Sequence, residues 1–351
     1  RVENPDHDVT SYRMTTVCST GPDANVVDTV VVGGSAGGFN ALRALLSELP
    51  ADFPAAMVVC LHQPVQAHLR FAESLASHSR MPIETAEDGR AIDPGKVYIA
   101  GPDRHLMIGA DHLHLRRGAH ENNFRPAIDP LFRSAAVYRG PRAVGVILSG
   151  LMDDGAAGAR ALSRTGGQIV VQSPETTEFP DMPQATLDAV PSARDVALGD
   201  LAATLVDLVG ASCADQGKVP WDIGMELKIT SLEGSDMESE RKLGTLSPFN
   251  CPHCNGVLWE IEDGPLTRFR CHTGHAYSIQ ALNDAQEEAL DAGLFNALRA
   301  HRGRAELVRK IARSTRNKTS RKTLEARAER IREDTELLER IITRRSGAPR
   351  A

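Results

Sequence analysis

The amino-acid sequence predicts an α/β fold with a doubly wound, mostly parallel sheet, followed by a small cysteine- and histidine-bearing module and a C-terminal helical segment. Three observations carry this expectation. Apolar runs alternate with amphipathic stretches from Asp28 to about Val209, a βα repetition that builds a parallel sheet covered by helices. Cysteines and histidines gather between Cys251 and His275. Beyond residue 280, apolar positions recur at helical spacing.

In chain order, Thr29–Val32 reads as a buried strand ending in glycines, followed by a helix over Phe39–Leu49. Ala55–Leu61 is a second apolar run, followed by a helix over Leu69–Ser77. Val97–Ile99 and the alternating segment His112–Leu115 are shorter strands. Ala143–Leu148 is again a buried strand, with Ala156–Ser163 as its helix and Gln168–Gln172 as the next strand. A helix over Leu201–Val209 completes a domain expected at 27–210, preceded by an N-terminal tail over 1–26. Residues 211–247 are polar, rich in Glu, Ser, Lys and Gly, and read as a linker. A compact module is expected at 248–279 and a helical hairpin or tail at 280–345. In that last segment Leu290, Leu294, Leu298 and His301 share one face. Leu324, Ala328, Ile331, Leu338 and Ile342 share another, and a break falls near Ser314–Ser320.

A length of 351 residues accommodates about two domains. Apolar residues at 41% and charged residues at 25% exclude a disordered or fibrous chain. The net charge of -6 points to neither nucleic acid nor membrane. The charge is unevenly spread, with 16 Lys or Arg against 7 Asp or Glu from His301 onward. That basic end either alternates charges around solvated helices or steers the tail to an acidic partner. There is no apolar run of 18 residues and no signal-peptide layout in the first 26, so a cytoplasmic location without membrane insertion is expected. Of six cysteines, Cys18, Cys60 and Cys213 stand alone and the other three sit among histidines, a metal pattern suited to a reducing compartment.

The candidate chemistry begins at Gly33-Gly34-Ser35-Ala36-Gly37-Gly38, where a strand turns into a helix. A dinucleotide fingerprint fails there, because Ser35 or Ala36 falls where the second glycine is required. G-x-S-x-G does match, and its glycines let a sharp strand-to-helix turn present Ser35. By itself the motif also fits a phosphate-cradling loop or a plain turn. A serine nucleophile needs a base, and His62 directly follows the apolar run Ala55–Leu61, at the sheet edge where open α/β folds bind ligands. A carboxylate at another strand end would complete a triad. Asp153 and Asp154 lie in the loop after Ala143–Leu148, where either could instead cap the following helix. The order Ser, His, Asp departs from the Ser, Asp, His order of ordinary α/β-hydrolases.

These residues carry a resemblance. The stretch from about Asp28 to Val209 resembles the catalytic domain of CheB-type chemotaxis methylesterases. The match runs through Val31-Val32-Gly33-Gly34-Ser35-Ala36-Gly37-Gly38, Leu61-His62-Gln63-Pro64, Gly95-Lys96-Val97-Tyr98-Ile99-Ala100 and Asp103-Arg104-His105. It continues through Arg125-Pro126-Ala127-Ile128-Asp129-Pro130-Leu131-Phe132, Ile147-Leu148-Ser149-Gly150 with Asp154-Gly155-Ala156-Ala157-Gly158, and Met182-Pro183. The resemblance implies Ser35 as nucleophile, His62 as general base and Asp154, which directly precedes the aligned Gly155, as the group orienting the imidazole. It implies hydrolysis of glutamate γ-methyl esters on chemoreceptors with release of methanol, with glutamine deamidation as a second reaction of the same site, and no cofactor. A non-catalytic adaptor that binds a receptor through an esterase-like domain is the alternative. Oxyanion donors are expected among backbone N–H groups of Gly150–Met152 and beside Ser35. Ala36 stands where the family often has Thr, and Leu151-Met152 replaces the common Met-Gly. With only about 27 residues ahead of the first strand, the amino-terminal phospho-receiver domain of the chemotaxis enzymes is not expected in this chain.

Cys251-Pro252-His253-Cys254 and Cys271-His272-Thr273-Gly274-His275 pair C-x₂-C with C-x₃-H. Four N or S ligands suit tetrahedral Zn²⁺, and so short a segment cannot fold on an apolar core alone. Cys251, Cys254, Cys271 and His275 are therefore expected to hold a structural zinc, with His253 and His272 as neighbours. The segment resembles a zinc-ribbon-like extension that follows some CheB-like domains. Nucleic acid is not expected as a partner, since interleaved aromatics and dense Lys or Arg are wanting. The apolar stripes of the terminal helices would bury against each other, against a second copy, or against the helical bundle of a receptor.

Overall fold

The computed structural model describes residues 25–62, 68–233 and 241–346; the tail expected over 1–26 lies, up to residue 24, outside them. The chain divides into two compact units, one running up to Leu243 together with Glu262–Leu266, the other Gly244–Ile261 with the residues from Thr267 onward.

The first unit is built on seven parallel strands. They are β1 (Thr29–Gly34), β2 (Ala56–Leu61), β3 (Ile83–Thr85), β4 (Val97–Ile99), β7 (Ala143–Ile147), β8 (Gln168–Gln172) and β9 (Arg194–Val196), in the spatial order β3-β4-β2-β1-β7-β8-β9. A separate two-stranded antiparallel sheet pairs β5 (His105–Ile108) with β6 (Leu113–Arg116). The central strands β1, β2 and β7 are buried along their whole length, as continuous apolar runs covered on both faces must be.

Alternation along β1 divides its valines between two cores. Val30 and Val32 pack with α1 (Gly38–Glu48), α2 (His68–Ala76) and α6 (Leu201–Leu208), through Leu42, Leu45, Leu75 and Leu205. Val31 packs on the opposite side with α3 (Ile128–Tyr138), α4 (Ala156–Arg164) and α5 (Asp181–Ala189), through Phe132, Leu162 and Met182. Each such fully buried aliphatic side chain contributes on the order of 1.5–3 kcal/mol. The sheet is thus doubly wound. The chain leaves β1 toward β2 and returns on the other side at β7, so the strand order reverses at β1 and opens a crevice at the carboxyl ends of these strands.

The stretch 211–247, expected as a linker, holds a further helix, α7 (Trp221–Ser231). Ile223 and Leu227 bury it in the core shared with α3; residues 234–240 lie outside the described ones.

In the second unit β10 (Thr245–Asn250), β11 (Val257–Asp263), β12 (Leu266–Cys271) and β13 (Ala276–Ser278) form a four-stranded sheet in that order. A helix over Ile279–Ser314 follows, its amino end capped by Ser278 Oγ accepting from Ala281 N–H at 3.1 Å. A second helix spans Lys318–Ser346 and packs back on the first through Ala305, Val308, Ala328 and Ile331. The pair is a hairpin. Its seam differs in part from the expected faces: Leu298, Ala305 and Ala312 repeat every seven residues and are buried, whereas Leu290 stays 51% exposed. The 3.5-residue period of two wrapped helices overrides the i, i+4 grouping of Leu290, Leu294 and Leu298. Among the described residues no helix is long and apolar enough to cross a membrane.

Candidate active site and metal cluster

Register brings the serine and the histidine side by side. Gly34 of β1 pairs with Leu61 of β2, so the next residues of the two strands are Ser35 and His62. His62 N–H donates to the Gly34 carbonyl at 3.0 Å, and Ser35 N–H donates to the Ser149 carbonyl at 2.9 Å. Two glycines permit this crowding. Gly37 begins α1 at φ 74, with space for a Cβ only 2.6 Å from Ser149 Oγ. At Gly150 a Cβ would lie 2.9 Å from the end of Met182 and 3.0 Å from Ser35 Cβ, so the loop after β7 passes directly against the serine.

Asp154 enters from that loop and is 1% exposed. Its Oδ2 lies 2.8 Å from His62 Nε2 and accepts from Ile128 N–H at 2.7 Å. Its Oδ1 accepts from the Asn122 amide at 2.9 Å and from Asp129 N–H at 3.3 Å. Burial pushes the carboxyl up, but the bond from His62, its positive charge when protonated, and the donors Ile128 and Asn122 prevail and hold it below the usual carboxylate range. An ionised Asp154 keeps the imidazole proton on Nε2, leaving a lone pair on Nδ1. That Nδ1 is buried and has no hydrogen-bond partner among the described residues. His62 and Asp154 are therefore in contact, while no hydrogen bond joins the Ser35 hydroxyl to the imidazole among the described residues. The backbone carbonyl of Asp153, the other acidic residue of the loop, accepts from Ala156 N–H at 3.2 Å.

Three further residues of this site had no role assigned from sequence. Phe124 lies face to face on His62, with centroids 3.6 Å apart and planes 12° apart. Asn122 donates through one amide nitrogen to Asp154 Oδ1 and to Asp129 Oδ2, each at 2.9 Å. Asp129, at the start of α3, accepts from Gly155 and Gly158 N–H at 3.0 and 2.7 Å and so caps α4. Burial first, and then the charge of Asp154, push the Asp129 carboxyl up to about 7. His105, fully buried, spans between the Ala119 carbonyl and Ala127 N–H, at 2.8 and 3.2 Å, and supports the loop bearing Asn122 and Phe124. The signal that could have singled out Asn122 is the Asn122-Asn123 pair, since asparagine tolerates the left-handed backbone observed there at φ 49 and 70.

Of the backbone donors expected to face an oxyanion, Gly150 N–H is already given to the Phe179 carbonyl at 3.0 Å and Ser35 N–H to Ser149. Among the described bonds, Leu151 and Met152 N–H have no acceptor; Met152 adopts φ 64 and Leu151 is 47% exposed.

In the second unit Cys251, Cys254, Cys271 and His275 offer ligand atoms all within 4.8 Å of one another. The Cys254 and Cys271 sulfurs are 3.6 Å apart, close to the roughly 3.8 Å that two thiolates bound at 2.3 Å subtend on a tetrahedral ion. His253 borders the cluster, stacked on His275 with centroids 4.9 Å apart and bonded to Tyr277 OH at 2.7 Å, and His272 lies edge-on to Trp259, 3.9 Å between centroids.

An all-parallel doubly wound sheet that carries serine, histidine and aspartate at its strand ends defines an α/β protein with a polar cluster at its sheet edge. The chain belongs to the CheB methylesterase family, whose model matches residues 30–205. It is 39% identical over 177 residues to protein-glutamate methylesterase/protein-glutamine glutaminase 4 of Myxococcus xanthus, covering 50% of each chain. It is 39% identical over 183 residues to protein-glutamate methylesterase/protein-glutamine glutaminase 1 of Xanthomonas campestris pv. campestris, covering 51% of each. The chain thus spans about half the length of the curated relatives it matches. The crystal structure of the Thermotoga maritima CheB methylesterase catalytic domain superposes with a TM-score of 0.51 at 32% identity, over 52% of this chain and 98% of that one.

Proposed function

We propose that this protein hydrolyses glutamyl γ-methyl esters on a methylated chemoreceptor or a similar helical signalling protein, through Ser35, His62 and Asp154. The observation that carries the reading is the 2.8 Å contact from His62 Nε2 to Asp154, which leaves Nδ1 as the free base beside Ser35. In the substrate complex the Ser35 hydroxyl closes onto Nδ1, which takes its proton as Oγ attacks the ester carbonyl. Leu151 and Met152 N–H are the donors for the oxyanion, each worth about 10²–10³-fold in rate. The imidazolium, stabilised by Asp154, then protonates the departing methoxide, and water repeats the cycle on the acyl-enzyme to release glutamate. Glutamine deamidation follows the same path with ammonia leaving. No cofactor takes part.

Cys251, Cys254, Cys271 and His275 hold a structural Zn²⁺, which would supply folding free energy to the second unit. All four ligand positions come from protein, so the ion has no opening for water. A cytoplasmic location and self-association through the helical hairpin complete the reading.

The test is methanol release from a methylated receptor by wild type and Ser35→Ala. Release by wild type alone supports the hydrolase; no release by either overturns it in favour of the adaptor.

A further inference from the structure

Helix α7 lies beyond residues 30–205, the stretch that matches the family, yet two of its polar side chains are buried deep in the first unit. Glu226 and Thr230 are each 2% exposed. Thr230 Oγ1 donates to Glu121 Oε1 at 2.6 Å. Arg133 of α3 grips the same carboxylate with its two terminal guanidinium nitrogens, at 3.0 and 3.2 Å, and donates to Thr230 Oγ1 at 3.2 Å. Glu226 adds a second carboxylate 3.6 Å from Arg133. The backbone approaches as closely: a Cβ at Gly118 would lie 2.7 Å from the Thr230 carbonyl oxygen.

Glu121 is the first residue of the turn that holds the histidine and the aspartate. Its N–H and carbonyl pair with those of Phe124, at 3.2 and 2.9 Å. Between them stand Asn122, bonded to Asp154, and Asn123; Phe124 itself lies on His62. The path from α7 to the reacting groups is therefore one side chain and one tight turn long. We propose that Thr230 and Glu226 are positioning residues of the hydrolytic site, which hold the 121–124 turn through Glu121 and Arg133 and thereby set the orientation of Asp154 and His62. This rests on the hydrolase reading above. Displacement of α7 by a partner would lower turnover without touching Ser35.

The test compares full-length wild type, Thr230→Val and Thr230→Ser in hydrolysis of p-nitrophenyl acetate and in methanol release from a methylated receptor, assayed well below each protein's unfolding temperature. Misplacing a catalytic group through a remote change costs up to about 10²-fold. The expectation is a fall in kcat of about tenfold or more for Thr230→Val, with KM within about twofold, and recovery in Thr230→Ser. Should Thr230→Val not fold, Glu226→Gln, which keeps the side-chain shape, gives the same readout. A lowered unfolding temperature with unchanged kcat overturns the proposal, as does an equal loss of kcat in Thr230→Ser. Absence of turnover in wild type on both substrates removes the hydrolase reading and this inference together, whereas turnover in wild type with unchanged variants removes the inference alone.

Discussion

The ring of Phe124 stacks on the imidazole of His62 at a centroid separation of 3.6 Å, on the residue bonded to the buried carboxylate of Asp154. One bond to Asp154 fixes the position of Nε2 but leaves the ring free to tilt about it. The aromatic face removes that freedom. Phe124→Ala is expected to lower kcat by about 10–100-fold with little change in KM, since near-attack geometry is what the stack supplies. Steady-state methanol release measures it.

Asp154→Asn retains shape but loses the charge that keeps the proton on Nε2. An imidazole of the wrong tautomer cannot take the Ser35 proton, and a loss of about 10³–10⁴-fold in kcat is expected. A rate within tenfold of wild type would show that Asp154 does not orient the base.

Asn122→Ala withdraws one donor from each of two buried carboxylates. Leaving buried acceptors short of a partner costs about 1–3 kcal/mol, so chemical denaturation should show a loss of that order together with reduced activity.

The Asp129 carboxyl is raised from 3.8 to about 7. The folded state then binds more protons than the unfolded state between these values, so stability is greatest at the acid end and falls as pH rises toward about 7. Compared with Asp129→Asn, wild type should lose stability across this window, with a slope approaching about 1.4 kcal/mol per pH unit, and level off above it. Denaturation midpoints taken at pH steps read the difference. A flat difference would mean that Asp129 is ionised throughout.

Chelation of zinc, or Cys254→Ser, should unfold the segment around Cys251–His275 and change the fluorescence of Trp259, whose ring meets His272. The rate of p-nitrophenyl acetate hydrolysis should be unaffected, because no step of the proposed reaction uses an ion. Loss of hydrolysis in parallel with zinc would contradict a purely structural role.

Much of this architecture is legible in the sequence, and the exceptions share a cause. Thr29–Val32, Ala55–Leu61 and Ala143–Leu148 announce themselves because strands buried on both faces are continuous apolar runs. Ser35, His62 and Asp154 follow such runs, so their placement at one edge could be anticipated. Helix α7 could not be, because Glu226 and Thr230 give it the composition of a linker while Arg133 and Glu121, about a hundred residues earlier, satisfy them in the interior. Asn122 and Phe124 were hidden for the same reason. Their partners Asp154 and His62 are set by the tertiary fold, and no local period marks them.

The outermost strands of the parallel sheet, β3 and β9, are only three residues long. Each carries charge, Glu84 on one and Arg194 with Asp195 on the other, and Glu84 is itself engaged by Arg90 and Lys96. A rim so brief and so polar gives a passing chain little to pair with. The parallel sheet is thereby protected at both margins against edge-to-edge aggregation, leaving its interior strands free to be uniformly apolar.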